Sequence, residues 1–236
     1  MFDNRAWGAL LSGHVLDLQD WRETLLPPHA PWAEQWIINN TPRLVLRSSD
    51  FDQFEDSLAV WNAAKLLTTR LNGAFAAHSN AEPLSVEGIA ERRSDGTIGQ
   101  HAIFAVGAAH ARARAGSLSA SAQIGPTAVQ RWIELADQSD LVDDLLIHQS
   151  GEPNWYNLYK AFEVIRQLCG GQRALEQRPW CPPELSRFTH TANIYRHSSA
   201  HPSHNNPPAT PMSLSEAMNI IRAMTNEAMK EQLDKA

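Results

Sequence analysis

The segment PTAVQRWIELADQSDLVDDLLIHQ, residues 126–149, marks the point at which the chain changes from strand patterns to helix patterns. Its apolar residues Val129, Ile133 and Ala136 recur at the three- to four-residue spacing of a helix, and Leu145 continues the series. A helix of this kind buries one stripe of side chains and leaves the other side in water. The segment therefore predicts that a helical half of the chain begins shortly before it.

Before this segment the sequence has the features of a β-sheet. Residues 8–18, 36–40 and 43–48 are short, rich in aliphatic side chains and separated by turn-prone positions, and we predict strands there. A hairpin is predicted around Asp95-Gly96, because this dipeptide supplies the positive φ angles of a tight turn. The N-terminal half is thus predicted to be mainly β.

One long helix interrupts the predicted strands. Apolar residues at helical spacing run from Phe51 to Phe75, and Ser49 or Asp50 could cap the helix by accepting a hydrogen bond from its free N–H groups.

Three further helices are predicted beyond residue 149. They cover residues 153–171, residues 183–197 and a last segment that begins at a capping box, in which Ser213 and Glu216 satisfy each other's backbone N–H groups. With residues 126–149 they make a bundle of about four helices.

These patterns predict an α+β fold with two domains. Residues 1–121 would form a β-rich domain with one embedded long helix, and residues 122–236 would form the helical bundle.

The composition is that of a globular protein, with 43% hydrophobic and 19% charged residues. The formal charge of −6 argues against binding nucleic acid through overall charge, but it does not exclude a local basic cleft.

The two cysteines suit a reducing compartment. There is no signal-peptide pattern and no apolar stretch near the roughly 20 residues of a membrane span. We expect a cytoplasmic protein that does not bind a membrane. No motif for a nucleotide or metal cofactor is present, so we expect none.

The segment NIYRHSSAH, residues 193–201, contains the candidate catalytic residues Arg196, His197 and His201. In one interpretation they are only a solvated helix end and loop, where cations favour the negative pole of the helix. In a second, His197 and His201 are spaced as metal ligands, but no acidic residue or cysteine in the segment completes such a site. In a third, Arg196 binds a phosphodiester and a histidine transfers the proton of a ribose 2′-hydroxyl.

The Arg196-to-His201 spacing, an R-x4-H element with a polar residue directly after the arginine, resembles the signature of the HEPN family. The resemblance covers roughly residues 125–236 and implies a bundle of about four helices. It further implies a metal-independent ribonuclease of phage-defence or toxin–antitoxin type, often a dimer in which two motifs face one cleft. Arg196 would hold the scissile phosphate, His201 would act as acid and base, and His197 would be the polar neighbour.

The resemblance leaves two hypotheses from different classes. In the first, the chain is an endoribonuclease whose partner is RNA. In the second, it is a non-catalytic binding or oligomerisation module that joins a partner protein in a larger defence assembly. A homodimer is expected in either case.

Four arginines of the predicted hairpin are candidates for nucleic-acid binding, because cations along one surface can follow a phosphate backbone. They are Arg92, Arg93, Arg112 and Arg114. The alternative is that they only keep exposed strands soluble. Two interpretations also remain for Trp155, Tyr156 and Tyr159, which would either stack on bases or pack at the rim of the helical core.

Overall fold

A computed structural model describes residues 5–101, 125–196 and 209–235 of the chain. The described strands are β1 (Ala6–Ser12), β2 (Trp32–Ile38), β3 (Thr41–Arg47), β4 (Ser85–Arg92) and β5 (Ile98–His101). The described helices are α1 (Val15–Thr24), α2 (Ser57–Ser79), α3 (Ala128–Ala136), α4 (Asp140–Gln149), α5 (Trp155–Leu168), α6 (Gln172–Glu176), α7 (Leu185–Tyr195) and α8 (Leu214–Leu233). The predicted α+β class, with strands in the N-terminal half and helices in the C-terminal half, is confirmed.

The described residues divide into two compact units. The first contains the residues up to Leu71 together with those from Ala81 to Arg131, and so includes the whole sheet. The second contains Asn72–Asn80 together with the residues from Trp132 onward. Helices α2 and α3 therefore each contribute residues to both units. The predicted domain boundary after residue 121 lies outside the described residues.

The first unit is built on one antiparallel sheet with the strand order β2-β3-β1-β4-β5. Asn39 and Asn40 form the turn between β2 and β3 at φ angles of 50° and 60°, a conformation that asparagine tolerates better than most residues. The predicted turn between β4 and β5 is also present. There the Asp95 carboxylate accepts a hydrogen bond from the Thr97 N–H at 2.8 Å.

The first strand ends earlier than the sequence pattern predicts. We expected a strand over residues 8–18, but β1 ends at Ser12 and α1 begins at Val15. The His14 side chain caps this helix by accepting a hydrogen bond from the Leu16 N–H at 3.3 Å. A histidine cap is not a signal that propensity rules weigh, and the aliphatic run across the boundary fits either structure.

The long helix begins later than predicted. Residues Phe51–Gln53 form a short 3₁₀ turn, and α2 begins at Ser57. Neither Ser49 nor Asp50 is its cap. Asp56 serves instead, because its carboxylate accepts a hydrogen bond from the Ala59 N–H at 2.8 Å.

A tryptophan covers one face of the sheet. Trp36 is 1% exposed and packs with Leu10, Val45 and Ala90 in a buried cluster. The packing of the Trp36 ring against β1 requires a glycine at position 8, since a Cβ there would lie 3.2 Å from the Trp36 ring and 2.2 Å from the Val45 side chain. This glycine lets the large ring lie against the strands.

The second unit consists of helices with clear end signals. The Asn154 side chain caps α5 by accepting a hydrogen bond from the Asn157 N–H at 2.8 Å. Gly170 ends that helix region at a φ of 87°. The predicted capping box of α8 is confirmed, with Ser213 and Glu216 bonded reciprocally. None of the helices in the described part of the chain is long and apolar enough to cross a membrane.

Residues 126–149 form two helices, α3 and α4, instead of the single predicted helix. The final part of α2 packs closely against α4. A Cβ at Gly73 would lie 1.9 Å from the Leu146 carbonyl oxygen, and the nearest atoms around it all belong to the Leu146 backbone. Backbone cannot rotate aside as a side chain can, so this contact requires glycine.

We predict that Gly73→Ala lowers the free energy of unfolding by about 1–3 kcal/mol, as overpacking commonly does. Helix propensity alone predicts the opposite, a gain of roughly 0.5–1 kcal/mol. Urea unfolding followed by circular dichroism measures the sign. Asn62→Ala, at an exposed position of the same helix, is the matched control and should leave stability unchanged or slightly raised. Equal or greater stability of the Gly73 variant would contradict the packing argument.

Candidate functional site

Arg196 is the candidate catalytic residue that the structure describes, and it lies at the end of α7. It forms the C-terminal cap of this helix, and its backbone N–H donates to the Ala192 carbonyl oxygen at 2.9 Å. Phe188 and Ala192 of the same helix are fully buried and anchor it in the second unit. Arg196 itself is half-buried. The buried residues of α7 therefore anchor the helix, and Arg196 lies at its surface end.

The guanidinium group of Arg196 rests on an aromatic ring of α5. Its central carbon lies 4.0 Å from the centroid of the Tyr159 ring, which is close for a cation–π contact. The Tyr159 ring in turn packs against Phe162, with 5.7 Å between the ring centroids. Because Phe162 is buried, its contact with Tyr159 limits where the Tyr159 ring can lie beneath the arginine.

A second aromatic pair joins the same two helices beside this contact. Tyr195 stacks on Trp155, with 5.8 Å between the centroids and 27° between the ring planes. Trp155 also contacts Phe188 at 6.5 Å, and Phe188 contacts Phe162 at 5.8 Å. Aromatic rings thus continue from the core of the unit to two surface positions, Tyr195 and Tyr159.

The surface of α5 next to Tyr159 adds another cation. Lys160 pairs with Glu163 at 2.8 Å. The hydrogen bond and charge of Glu163 raise the pKa of Lys160, while the charge of Arg196 acts in the opposite direction. Lys160 and Arg196 are therefore close enough to repel each other. Two neighbouring cations favour an anionic ligand.

His148, near the end of α4, interacts with this group of charges. Burial lowers its pKa, and the charge of Lys160 lowers it further, while Asp144 and Glu163 act to raise it. The net effect is a lower pKa, so His148 is neutral at pH 7.

His197 and His201, the other two candidate catalytic residues, lie outside the described residues, as do Arg112 and Arg114. The two remaining hairpin arginines are described. Arg92 lies over the Trp36 ring at 4.2 Å, with the Glu34 carboxylate 4.0 Å away. Arg93 is 3.4 Å from the Glu91 carboxylate. Each of these arginines has a carboxylate neighbour.

Sequence reasoning did not identify Tyr195, Lys160 or His148. The only signal for this surface was the group of aromatic residues at the start of α5. The pairing of Tyr195 with Trp155 joins positions 40 residues apart, and no local pattern shows such a contact.

Within residues 5–101, 125–196 and 209–235 no group of three or more histidine, cysteine or acidic side chains is arranged to hold a metal ion. Comparisons with protein-family models, with curated proteins and with solved structures gave no match for this chain. The arrangement of its own residues is therefore the basis for a functional proposal.

We predict that His148 makes the protein less stable as the pH falls. Its pKa is lowered in the folded state from 6.5, so the unfolded chain binds the proton first. The free energy of unfolding should begin to fall near pH 6.5, and this contribution should level off once the folded state is protonated too. Chemical denaturation at pH 8, 6.5 and 5.5 measures the effect.

His148→Gln is the comparison variant, because it removes the titrating group and keeps a polar side chain of similar reach. The variant should lose less stability than the parent between pH 8 and 5.5. Burial also lowers the pKa of His78, which remains in both proteins and so cancels in the difference. Parallel pH profiles of parent and variant would refute the prediction.

Proposed function

We propose that this chain is a HEPN-like, metal-independent endoribonuclease of bacterial phage-defence or toxin–antitoxin type. In this proposal Arg196 binds the scissile phosphate, His201 acts as acid and base, and His197 is the polar neighbour in the motif. The observation that carries the proposal is the position of the Arg196 guanidinium, 4.0 Å from the Tyr159 ring at the surface end of α7.

The proposed reaction is an internal transfer within RNA. The histidine removes the proton of a ribose 2′-hydroxyl, and the resulting oxygen attacks the adjacent phosphorus. A bond forms between O2′ and phosphorus, the bond between phosphorus and O5′ breaks, and the leaving O5′ takes up a proton. The products are a 2′,3′-cyclic phosphate and a 5′-hydroxyl end.

An arginine suits this reaction because negative charge builds up on the phosphate oxygens in the transition state. Its planar fork of N–H donors can bind two of these oxygens at once and keeps its charge at all working pH values. A donor that is already held in position stabilises the transition state most, because it needs little reorganisation during the reaction. The contact with Tyr159 supports this role, because it restricts the guanidinium before any ligand arrives.

The alternative function is a non-catalytic binding or oligomerisation module within a larger defence assembly. The observation in its favour is exposed apolar surface on α4 and α5, where Ile147 is 37% and Tyr156 is 53% exposed. Aromatic residues such as Tyr156 are enriched where proteins associate. We propose that the chain forms a homodimer under either function, and that RNA is the ligand only under the first.

We expect purified protein to cleave single-stranded RNA in the presence of EDTA and to leave cyclic phosphate ends. Arg196→Ala and His201→Ala should each reduce the cleavage rate by about 100-fold or more, the range found for groups of this kind. Product ends are identified by mass spectrometry, and rates by gel analysis of labelled RNA.

Arg187→Ala is the matched control, since it removes an arginine from the same helix that pairs instead with Glu216 at 2.9 Å. It should cleave RNA at nearly the parent rate. Equal rates for the parent and both active-site variants, or no cleavage by any of them, would reject the ribonuclease. Circular dichroism confirms that each variant is folded.

A further inference from the structure

We propose that Tyr195 is a stacking platform for an unpaired base of the bound RNA, next to the phosphate that Arg196 binds. This inference deepens the proposed function and depends on it for the identity of the ligand. It assigns a binding role to a residue outside the R-x4-H element, and it identifies single-stranded RNA as the form that is recognised.

The first argument is the exposure of the ring. Tyr195 is 38% exposed although its ring stacks on that of Trp155. Part of this aromatic residue is therefore accessible to a ligand. Every nucleobase has a π-face that can lie on such a surface, whatever its hydrogen-bonding pattern.

The second argument is that the platform is held in place. Trp155 lies between Tyr195 and Phe188, and Phe188 is fully buried against Phe162. The ring of Tyr195 therefore rests on a column of aromatic side chains that reaches the core. A ring with few alternative positions loses little conformational entropy when a base stacks on it, so more of the contact energy appears as affinity.

The third argument is the neighbouring charge. Tyr195 and Arg196 are consecutive, so their Cα atoms are about 3.8 Å apart. Their side chains lie on Trp155 and Tyr159, two residues of the same helix. An aromatic ring and a cation that rest on the same helix can contact the base and the phosphate of one stretch of nucleotide chain. Within a duplex the base faces are covered by stacking, so the match requires an unpaired strand.

The test measures binding separately from cleavage. The probe is a fluorescent single-stranded oligonucleotide with 2′-O-methyl sugars, which has no free 2′-hydroxyl to attack the phosphate. Tyr195→Leu should weaken its binding by about 5- to 100-fold, the range that loss of one base stack produces, and Tyr195→Phe should bind like the parent. Trp61→Leu is the matched control, since Trp61 is a half-buried aromatic residue of α2 with a cation, Lys65, over its ring at 5.9 Å, and it lies in the first unit, so the change should have little effect.

A second measurement does not depend on how well the variants fold. We expect the parent chain to lose a similar factor in affinity when the oligonucleotide contains an abasic position in place of the stacked base. The losses of affinity caused by the abasic change and by Tyr195→Leu should not add, because both remove the same contact. A scan of the abasic position along the oligonucleotide finds the base concerned.

The possible outcomes separate this inference from the proposed function. If the protein cleaves natural RNA and Tyr195→Leu binds the probe as the parent does, the platform is overturned and the ribonuclease stands. If binding depends on Tyr195 while natural RNA remains uncut, the platform stands and the ribonuclease fails. Equal affinity for duplex and single-stranded RNA, or no binding of either, would overturn the platform.

Discussion

The packing of α7 against α5 through aromatic side chains is the constraint on which the candidate site depends. Phe188 enters the core beside Phe162, and this contact determines how the end of α7 meets the surface. Tyr195 and Arg196 then lie on Trp155 and Tyr159 of the facing helix. A shift of one residue along either helix would separate both pairs. The positions of the cation and the aromatic ring are therefore consequences of core packing.

Arginines beside tryptophan or tyrosine rings occur in both units, yet their surroundings differ. On the sheet, Arg92 lies over Trp36 with Glu34 nearby, and Arg47 is 2.9 Å from Asp52. Each of these two arginines thus lies within 4.0 Å of a carboxylate. On the helices, Lys160 pairs with Glu163, and Arg196 is close enough for its charge to act on the pKa of Lys160. Because two cations from neighbouring helices approach each other there, the helical surface is the candidate for contact with a phosphate backbone.

The sequence predicted more of the fold than of the site. Elements with strong local signals were placed well, such as α8 with its Ser213 capping box and the turn at Asp95. Errors occurred where a local signal was weak or ambiguous. The aliphatic run after Gly8 fitted strand and helix equally, and the start of α2 depends on Asp56, one of several polar residues that could have served as a cap. In the candidate site, Arg196 was proposed from its motif, whereas Tyr195, Lys160 and His148 were not, since their proposed roles arise from neighbours on other helices or turns.

By itself the sequence determined the α+β class, the antiparallel hairpin turns and the arginine at the end of a helix. These features depend on residues close together in the chain, where backbone sterics and side-chain periodicity decide the outcome. The tertiary structure decided which rings that arginine and its neighbouring tyrosine contact, where the charges are balanced, and which glycine lets two helices touch. Such features join residues tens of positions apart, and their energies exist only once the side chains pack. Patterns among neighbouring residues in the sequence therefore do not predict these features.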